Sequence, residues 1–569
     1  MRIPKANHWM RRATRLAALL SIIVIPSGII AANVATTKSV RDFGAIPDDG
    51  RDDTKALRKA VAWCRANAGV TLVIPPGTYT LRDAEAVRLE QQAMTGALGK
   101  NPESTIFAPY YPYVRGLDFD GCTDVTVEAT GATLLCEGWM EPVSMHGCTG
   151  TTLRGLTIDY LRKPFAEGVI TAIDEETIDV RFLDKAPAEG TPLGRLHILD
   201  PKIEGMYRSP FYFPDHERID ERTLRLHLGR RLPDYLLGTP IAAMHSFHFR
   251  PAILIQGCSG ITLDDVTIHS QPGMGIVGFD SKDITLHRLA VVPAQGYHFS
   301  TNTDATHFAC CEGELTFQGC TFVHQGDDAT NVHGYYHNMS DDGEGWLRLT
   351  LAVNTHASIA DVPRVGDHME IVRINSLEPV GEMTVADVQH EEGSMDVRVR
   401  LEGTLPNDWQ QCYAFNATKL PHLTFEGCTV QGNLARGVLC KTRGVTLRGN
   451  IFRGCTGTAI HVGAESGWRE GTHAKDVVIE DNVMMYCGLG AGCQNGASGI
   501  AVVIEAPELK GVRLHENIVV RNNVVIGNGN NGCGICVEHA RDVVLSDNIV
   551  RGCRTDISTS DIEGAKQSR

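Results

Sequence analysis

Short segments that alternate apolar and polar residues recur along most of the chain. Most follow one template, in which apolar-x-apolar is followed by a polar or Gly pair and then by a second apolar-x-apolar. Two pairs of successive starts, Ile261 to Ile284 and Leu423 to Val445, lie 23 and 22 residues apart. This is the length of one coil of a parallel β-helix, in which each coil buries its inward face on its neighbours. The pattern predicts strands at Val125–Glu128, Thr152–Asp159, Ile261–His269, Ile284–Val291, Leu315–Val323, Leu423–Val430, Val445–Phe452, Val477–Met484, Ile518–Val525 and Val543–Val550.

A bend made of Asn, Asp or Gly recurs inside these segments. A β-sandwich, the alternative all-β architecture, has no need for Asn at the same bend of successive segments. The 58 Gly residues and an aromatic content of 6% also favour a turn-rich β structure over a helical bundle. We therefore predict an all-β chain built as a parallel β-helix. The bends are Asp264-Asp265, Gly449-Asn450, Asp481-Asn482, Asn522-Asn523 and Asp547-Asn548.

The stretch before the repeat predicts one amphipathic helix. Residues 52–54 offer N-cap side chains, and Leu57, Val61 and Trp63 are apolar positions of a helix that should end near Ala68–Gly69. Such a helix can cover the open end of a sheet stack and blunt its edge. The F-G-A, D-D-T and P-P-G-x-Y motifs of this stretch resemble the N-terminal cap of the pectin-lyase-like right-handed β-helix proteins. The resemblance implies a right-handed helix with this cap.

Two long interruptions lack the coil template. Both alternate apolar and polar residues like small antiparallel β units, so we interpret each as a β-domain inserted between coils. Surface decoration is the alternative, but the second interruption follows an acidic stretch so closely that it should help to shape a site. The predicted organisation is a signal peptide at 1–35, a cap and first coils at 36–160, an inserted β-domain at 161–249, coils with the catalytic site at 250–335, a second inserted β-domain at 336–422 and C-terminal coils at 423–569.

The N-terminus predicts export. Basic residues precede an apolar run from Leu16 to Ala32, and small residues follow at a plausible cleavage point. A membrane anchor is the weaker alternative, because the run is short and contains Pro26 and Gly28. The expected location is therefore the periplasm or the medium, with no membrane association after signal removal.

The charge of the chain narrows the choice of partner. The formal charge is −15, and loss of the basic residues in the predicted signal makes it more negative. An acidic protein is a poor candidate for binding nucleic acid or an anionic polymer. This counts against a pectate-type substrate, which carries negative charge along its length.

The chain has 17 cysteines, an odd number, and many follow a Gly in the repeat. A fixed position in a repeat favours a small apolar residue that fills an interior row over a set of disulfides. No pair of C-x-x-C motifs indicates a zinc site.

Candidate chemistry is concentrated in Ser300–His337, which contains Asp304 and the pair Asp327 and Asp328. Asp304 and Asp327 are 23 residues apart, so one coil should separate them and their groups should stack on one face. Carboxyl groups held this close cannot all ionise freely, so the pKa of one should rise. A protonated carboxyl beside ionised ones can protonate a glycosidic oxygen while a base activates water. Calcium binding by the clustered oxygens is the structural alternative.

These motifs resemble two families of glycoside hydrolases. N-T-D, G-D-D and V-H-G resemble the polygalacturonases of family 28, although A-T follows D-D, V precedes H-G and no clear R-I-K is present. The longer strings STNTDATHF and QGDDATNVHG resemble family 110, whose members are bacterial inverting exo-α-galactosidases. They remove terminal α-1,3-linked galactose, including from blood group B structures. The resemblance to family 110 covers most of the mature chain.

The resemblance implies one inverting displacement without a metal ion or another cofactor. Asp304, Asp327 and Asp328 match the acidic positions of the family. By analogy with the polygalacturonases, Asp327 is the general acid and the other two act jointly as the base. Inversion predicts acid and base carboxyl groups about 6.5–9.5 Å apart, with room for water between them.

Eight other residues are candidates for substrate binding. The two histidines flank the acidic trio, although a lone histidine is more often structural, and a solvated surface is the alternative for both arginines. A Trp between two Glu can stack on a sugar face, with the carboxylates on its hydroxyl groups, whereas packing in a loop is the alternative. The candidates are Asn302, His307, His333, Arg250, Arg436, Glu465, Trp468 and Glu470.

Two other functions remain alternatives. One is a polygalacturonase-like glycosidase or lyase, for which a row of Lys or Arg along the cleft would be expected. The other is a β-helix protein that binds glycans without catalysis, which would not need a convergent acid and base. The sequence leaves open whether branched or linear α-1,3-galactosides are preferred, and whether the chain forms homo-oligomers.

Overall fold

Parallel strands stacked in register account for most of the computed structural model. The structure describes residues 36–108, 111–351, 360–493, 496–564 and 566–568. The predicted signal peptide at 1–35 lies outside the described residues. Among the helices of the described part, none has both the length and the apolar character needed to cross a membrane.

One interior row of side chains runs through eight coils. Its members pair in parallel from coil to coil, and all are buried. A shift of one residue in the register of any of these strands would move its buried side chains to the opposite face. Burial of the row therefore fixes the register of the stack. The insertion at 336–422 does not break the row, because the coils on either side of it pair directly. The row consists of Ile261, Ile284, Leu315, Leu423, Val445, Val477, Ile518 and Val543.

The predicted segments in the coils are pairs of strands joined by a bend. The segment predicted at Ile261–His269, for example, contains the strands Ser259–Asp264 and Thr267–Ile268. Between them lies Asp265, whose φ is 58°. Asp and Asn adopt this left-handed conformation more readily than other residues that have a side chain, apart from His. The polar pair of the sequence template is therefore the bend itself.

Asparagines beside the C-terminal bends form a buried ladder. Asn450 donates to Oδ1 of Asn482 at 2.9 Å, Asn482 to Oδ1 of Asn523 at 2.9 Å, and Asn523 to Oδ1 of Asn548 at 3.0 Å. The amide of Asn482 also donates to the carbonyl of Leu447 at 2.9 Å. Because buried polar groups need partners, the ladder ties the bend of each coil to the next.

Cysteines occupy the same position in earlier coils. The Cys428 N–H donates to Oδ1 of Asn450 at 2.8 Å, and the Cys320 N–H donates to Sγ of Cys428 at 3.4 Å. Cys148 and Cys258 repeat the second contact at 3.3 Å. All 17 cysteines are free thiols, and most are buried. They therefore act as the interior filler that the sequence predicts.

The predicted amphipathic helix begins at Thr54 and ends at Arg65, three residues earlier than expected. Its buried face includes Leu57 and Val61. The early end follows from local bonds, because the Asn67 side chain donates to the Trp63 carbonyl at 2.7 Å and draws the chain out of the helix. Two helices that the sequence did not reveal follow it, and the described helices are Thr54–Arg65, Ala84–Met94 and Glu103–Ile106, with 3₁₀ turns at Val40–Phe43, Asp234–Leu236 and Trp409–Gln411.

The first interruption folds as an open antiparallel sheet of eight strands. Its buried apolar side chains form a core separate from that of the coils. The strands are Phe165–Ile173, Thr177–Phe182, Arg195–Asp200, Gly205–Met206, Phe211–Tyr212, His216–Arg218, Thr223–His227 and Pro240–Met244.

The second interruption folds as a closed antiparallel barrel of six strands. Each strand pairs with two others of the set, so the circuit has no open edge. One of these strands starts in the coil itself and runs on into the barrel. The six strands are Thr330–Asp341, Leu347–Thr350, His368–Arg373, Pro379–Gln389, Asp396–Glu402 and Cys412–Asn416.

The remaining strands belong to the coils. Those on the N-terminal side of the barrel are Thr37–Ser39, Thr71–Val73, Gly77–Arg82, Arg115–Asp118, Thr126–Glu137, Glu141–His146, Thr152–Tyr160, Ile253–Gln256, Ser259–Asp264, Thr267–Ile268, Ile276–Phe279, Lys282–His287, Ala290–Val291, Thr306–Ala309, Glu312–Gln318 and Thr321–Val323. Those on the C-terminal side are His422–Glu426, Thr429–Gln431, Val438–Cys440, Val445–Arg448, Ile451–Arg453, Ile460–Val462, Glu470–Gly471, Lys475–Glu480, Val483–Met485, Ala497–Val502, His515–Arg521, Val524–Glu538, Ala540–Ser546, Ile549–Ser560 and Lys566–Ser568.

Candidate active site

Asp304 and Asp328 stack at equivalent positions of adjacent coils, each two residues before a parallel strand. The two strands, Thr306–Ala309 and Thr330–Asp341, pair with their first residues opposite each other. The coil here is therefore 24 residues long. The predicted spacing of 23 residues, which put Asp327 level with Asp304, is wrong by one residue.

Asp327 nevertheless joins the other two aspartates. One carboxylate oxygen from each of Asp304, Asp327 and Asp328 lies within 4.8 Å of the others. Asp327 is the most accessible, with a side chain 29% exposed, against 8% for Asp304 and 5% for Asp328. The trio is thus more compact than the predicted separation of about 6.5–9.5 Å, and closer to the spacing of about 5–5.5 Å that is typical of retaining glycosidases.

The trio lines a cavity of about 540 Å³. Six carboxylates and two arginines are in its wall, so the cavity is acidic. This charge balance disfavours an anionic ligand. The wall consists of Glu103, Phe107, His248, Met274, Asp304, His307, Asp327, Asp328, Asn331, Tyr335, Arg436, Glu465, Gly467, Trp468, Arg469 and Glu470.

An arginine from the first inserted sheet reaches the most accessible aspartate. Nη1 of Arg195 lies 3.3 Å from Oδ2 of Asp327, and Nη2 donates to the Asn302 carbonyl at 3.3 Å. Burial and the charge of Asp304 raise the pKa of Asp327, and the cations Arg195 and Arg436 offset this only in part. The side chain is thereby biased toward its protonated form.

Asp328 is held from the opposite side by Arg436. The Arg436 N–H donates to Oδ1 of Asp328 at 2.6 Å, and Nε of the same arginine lies 3.6 Å from that oxygen. Burial raises the pKa of Asp328 well above its usual value; Arg436 opposes this shift, and the charges of Asp327 and Asp304 add to it. The ionisation of Asp327 and Asp328 therefore depends on the charges of the other aspartates of the trio.

Asp304 leads into a buried chain of two histidines. Nδ1 of His307 lies 2.7 Å from Oδ2 of Asp304, its Nε2 lies 2.7 Å from Nε2 of His333, and Nδ1 of His333 lies 3.0 Å from the Gly334 carbonyl. Each contact needs one proton, and two neutral imidazoles supply only two. The third proton either protonates Asp304 or makes one imidazole cationic, so this chain can hold or release a proton beside the trio.

A buried ion cluster forms another part of the wall. Glu465 accepts from Nη2 of Arg436 at 3.1 Å and from Nζ of Lys441 at 2.8 Å. Burial favours the neutral acid, but Lys441 and Arg436 prevail and lower the pKa of Glu465 to about 2. Glu470 pairs with Lys441 and accepts from the Asn331 amide at 3.1 Å. Lys441 and Arg436 therefore hold Glu465 ionised in the cavity wall, and Glu470 is paired with the same lysine.

Trp468 is the most exposed large apolar side chain of the described residues, at 68%. It belongs to the loop 464–470, whose two ends are tied by the antiparallel bridge between Glu465 and Glu470. The loop is fixed to the barrel strand, because Glu470 pairs with Tyr335. An indole held at the wall of a cavity offers a flat face to a sugar ring.

Three predicted binding residues do not line the cavity. Arg250 contacts Oε2 of Glu141 at 3.0 Å and donates to the Tyr113 hydroxyl at 3.1 Å. Asn302 is fully buried, and its amide donates to the carbonyls of Pro164 and Ser246. Both side chains join the first insertion or the cap to the coils, and their contact with substrate stays a prediction. His333 is also absent from the wall and reaches it through His307.

Sequence reasoning missed several residues of the site. Arg195 lies in an inserted strand with no motif around it, and Glu103 and His248 come from segments outside the coil template. Lys441 had a usable signal, because it directly follows the apolar strand Val438–Cys440, one coil after His333. A lysine at the end of a buried strand indicates a paired interior charge.

Among the residues that the structure describes, two groups of side chains have the geometry to hold a metal ion. They are the aspartate trio and the set His307, His333 and Glu470; in each, ligand atoms lie within 4.8 Å of one another. Asp327 and Asp328 are already paired with arginines, and the two histidines already contact each other. These contacts fit a proton-transfer site better than a metal site, and the absence of a metal stays a prediction.

A family model described as "Right handed beta helix region" matches residues 415–563. Alpha-1,3-galactosidase A of Bacteroides fragilis (strain ATCC 25285) is 25% identical over 515 residues, which cover 86% of this chain and 83% of that protein. Alpha-1,3-galactosidase A of Shewanella woodyi is 24% identical, over 90% of this chain and 86% of that protein. The resemblance to α-1,3-galactosidases is confirmed. The chain is an all-β protein with few helices and a right-handed β-helix region.

The chain is also similar to another α-1,3-galactosidase and to a solved exopolygalacturonase structure. Alpha-1,3-galactosidase B of Phocaeicola vulgatus is 24% identical, over 78% of this chain and 77% of that protein. Among solved structures, an exopolygalacturonase from Thermotoga maritima is 12% identical, with a TM-score of 0.44, and the match covers 94% of this chain and 91% of that chain.

Proposed function

We propose that the chain is an exported, exo-acting α-galactosidase that removes terminal α-1,3-linked galactose from neutral glycans, with inversion at the anomeric carbon. The observation that carries the proposal is the convergence of Asp304, Asp327 and Asp328 in one cavity whose wall also bears Trp468. The similarity to curated α-1,3-galactosidases over most of the chain supports the same linkage. Linear α-1,3-galactosides and the blood group B antigen are the expected substrates.

Asp327 is the proposed general acid. It is the most accessible of the trio, and burial and the charge of Asp304 raise its pKa, which shifts it toward the protonated form. Its proton passes to the glycosidic oxygen as the bond from that oxygen to the anomeric carbon breaks. Arg195, at 3.3 Å, then stabilises the carboxylate that remains.

Asp304 and Asp328 are the proposed base. Together they hold the attacking water, whose oxygen forms the new bond to the anomeric carbon as its proton moves to the pair. The excess negative charge on the pair is offset by Arg436 beside Asp328 and by the histidine chain behind Asp304. After the product leaves, transfer of the proton from the pair to Asp327, whose carboxylate lies within 4.8 Å of theirs, restores the starting state.

Glu465, Glu470 and Trp468 are the proposed galactose subsite. The two carboxylates can accept hydrogen bonds from sugar hydroxyl groups, and the indole can cover the apolar C–H face of the ring. An acidic wall suits a neutral hexose and repels a uronate. This argument favours the galactosidase over a polygalacturonase-like enzyme or a lyase.

The compact trio supports retention as the second candidate mechanism. Oxygens within 4.8 Å of one another suit a nucleophilic aspartate and a covalent intermediate. Proton NMR of the anomer released first from an α-1,3-galactoside distinguishes the two mechanisms. Inversion gives β-galactose first, and α-galactose would replace the proposed mechanism with the double displacement.

Three single variants test the catalytic assignment. We expect Asp304→Asn, Asp327→Asn and Asp328→Asn each to lower kcat/KM on an α-1,3-galactoside by about 10²–10⁴, the usual contribution of a positioned acid or base. The control is Asp341→Asn, since Asp341 is exposed at the barrel end of the strand that follows Asp328. Full activity in all three variants would reject the assignment. A wild-type protein that binds α-galactosides without hydrolysing them would instead favour the non-catalytic alternative.

A substrate panel tests specificity. Blood group B trisaccharide, linear α-1,3-digalactoside and polygalacturonate cover the competing proposals, and we expect hydrolysis of at least one of the first two and none of the third. Export is tested separately, by fractionating cells and sequencing the N-terminus of the mature protein. A mature form that still begins at Met1 would contradict the proposed signal peptide.

A further inference from the structure

We propose that a strip of aromatic rings beside the cavity binds the portion of the glycan that carries the terminal galactose. The strip is made of Phe107, His248, Phe247, Phe213 and Tyr212. The proposal rests on the proposed function and adds a binding site for the leaving-group oligosaccharide. It predicts that the enzyme discriminates between long and short substrates.

The rings of the strip follow one another without a gap. Phe107 stacks on His248 at 5.1 Å, with 28° between the ring planes. His248 contacts Phe247 at 6.0 Å, and Phe247 contacts both Tyr212 at 6.4 Å and Phe213 at 6.2 Å. The strip therefore forms one continuous aromatic surface.

One end of the strip is in the cavity and the other is exposed. Phe107 and His248 are part of the cavity wall, whereas Tyr212 is 57% exposed, and the rings between them are half-buried. A continuous row of partly exposed aromatic rings is unusual on a soluble protein and often indicates a binding surface. Continuity with the cavity means that a chain with its terminal sugar at the trio would run along these rings.

Separate parts of the sequence build the strip. Phe107 follows the short helix Glu103–Ile106, Tyr212 belongs to the first inserted sheet, and Phe247 lies where the chain returns to the coils. Gly194 makes room for the Phe247 ring, since a Cβ at this position would lie 3.1 Å from it. The inserted sheet thus supplies the outer half of the strip.

The strip is joined to the proposed general acid. The Arg195 guanidinium lies 4.7 Å from the centre of the Phe247 ring and 3.3 Å from Asp327. A sugar seated on Phe247 would therefore place its glycosidic oxygen toward the side of the cavity where Asp327 lies. The aglycone side of the scissile bond is the side that needs the acid.

The charges of His248 and Arg195 beside the strip are paired, which favours a neutral glycan as its occupant. His248 contacts Glu103 at 2.6 Å, and Arg195 pairs with Asp327. Aromatic faces with balanced charge suit the C–H faces of uncharged sugars. An anionic polymer or an acidic peptide would need unpaired cations here.

Two substrates of different length test the strip. We expect Tyr212→Ala to raise KM for an α-1,3-galactosyl oligosaccharide of four or more sugars by about 2- to 10-fold, which corresponds to one aromatic contact. We expect no change with p-nitrophenyl α-galactoside, which is too short to reach Tyr212. Tyr235→Ala is the matched control, because Tyr235 is a partly exposed tyrosine of the same insertion outside the strip.

The outcomes separate the strip from the proposed function. If Tyr212→Ala leaves the oligosaccharide KM unchanged, or changes both substrates equally, the strip is rejected and the galactosidase proposal stands. If the wild-type protein hydrolyses neither substrate, the proposed function fails and the strip fails with it. A Phe213→Ala variant with the same selective loss would extend the support from one ring to two.

Discussion

Nδ1 of His307 lies 2.7 Å from Oδ2 of Asp304, and the other nitrogen of the ring contacts a second histidine. A carboxylate and two imidazoles in series cannot complete their contacts without one proton more than two neutral imidazoles carry. The three groups can therefore hold one extra proton beside the cavity.

His307→Gln should interrupt this storage. We expect kcat to fall by about 10²–10⁴ with a smaller change in KM, because the lost step is a proton transfer and not a sugar contact. Histidine-selective ¹⁵N NMR of the wild-type protein checks the cause. Signals showing that both rings are neutral and that Asp304 is ionised would contradict the proton count.

Asp328→Asn should stabilise the fold while it removes activity. The pKa of Asp328 is raised in the folded state, so folding favours its neutral form, and the ionised group costs stability above its unfolded pKa of about 3.9. A neutral isostere avoids that cost at pH 7, and the advantage shrinks as the pH falls toward the unfolded pKa, below which the aspartate is mostly neutral in both states.

Thermal unfolding at pH 7 and pH 4 measures this effect. We expect Asp328→Asn to raise the midpoint at pH 7 by roughly 1–3 °C, relative to a shift near zero for the exposed Asp556→Asn. A lower midpoint at pH 7 would show that the bonds from Arg436 to the carboxylate outweigh its burial.

Lys441→Met should be strongly destabilising. Lys441 is fully buried against Glu465 and Glu470, and its removal leaves Glu470 without that cation and Glu465 with Arg436 alone. Breaking a buried ion pair from one side costs about 3–5 kcal/mol. In denaturant unfolding, the double variant Lys441→Met/Glu470→Gln should be more stable than Lys441→Met alone. If the loss of stability in the double variant equalled the sum of the losses in the two single variants, the two side chains would not be coupled.

Asn482→Ala should weaken the stack of coils. It removes the amide that donates to Asn523 and Leu447 and leaves Asn450 without its acceptor, at a cost of about 2–4 kcal/mol. Asn482→Cys should lose less, because a thiol occupies the same row at Cys428. Asn530→Ala, at an exposed position, is the control. If all three substitutions changed the unfolding midpoint equally, the ladder would not contribute to stability.

Chelation checks the prediction that no metal ion takes part. We expect activity to survive dialysis against EDTA and to show no gain from added Ca²⁺ or Mg²⁺. Loss of activity on dialysis, with recovery on metal addition, would reassign the trio as a metal site.

The coil was predictable because its information is local and repeated. The row through Ile261 and Ile284 and the bends at Asp265 and Asn482 follow from a spacing of apolar and polar residues that recurs along the sequence. The two antiparallel insertions show the same kind of signal, as alternation without the template.

The cavity was only partly predictable, because most of it comes from contacts between distant segments. Asp304 and Asp328 lie in the repeat, whereas Arg195 and His248 arrive from an insertion and its exit loop. Arg250 lies outside the cavity wall, which the sequence could not reveal, because a position near the re-entry to the coils says nothing about side-chain direction. Even the trio was one residue out of register, since a single extra residue in a coil is invisible to an average period.

The strand Thr330–Asp341 begins beside the trio and ends inside the barrel without a hinge between them. Asn331 and the first residues of the barrel wall therefore share one rigid backbone. The barrel cannot be exchanged or deleted as a detachable module, because its first strand is also the floor of the cavity. We expect substitutions to accumulate in the barrel strands that lie farthest from the cavity and to be rare in the strand Thr330–Asp341.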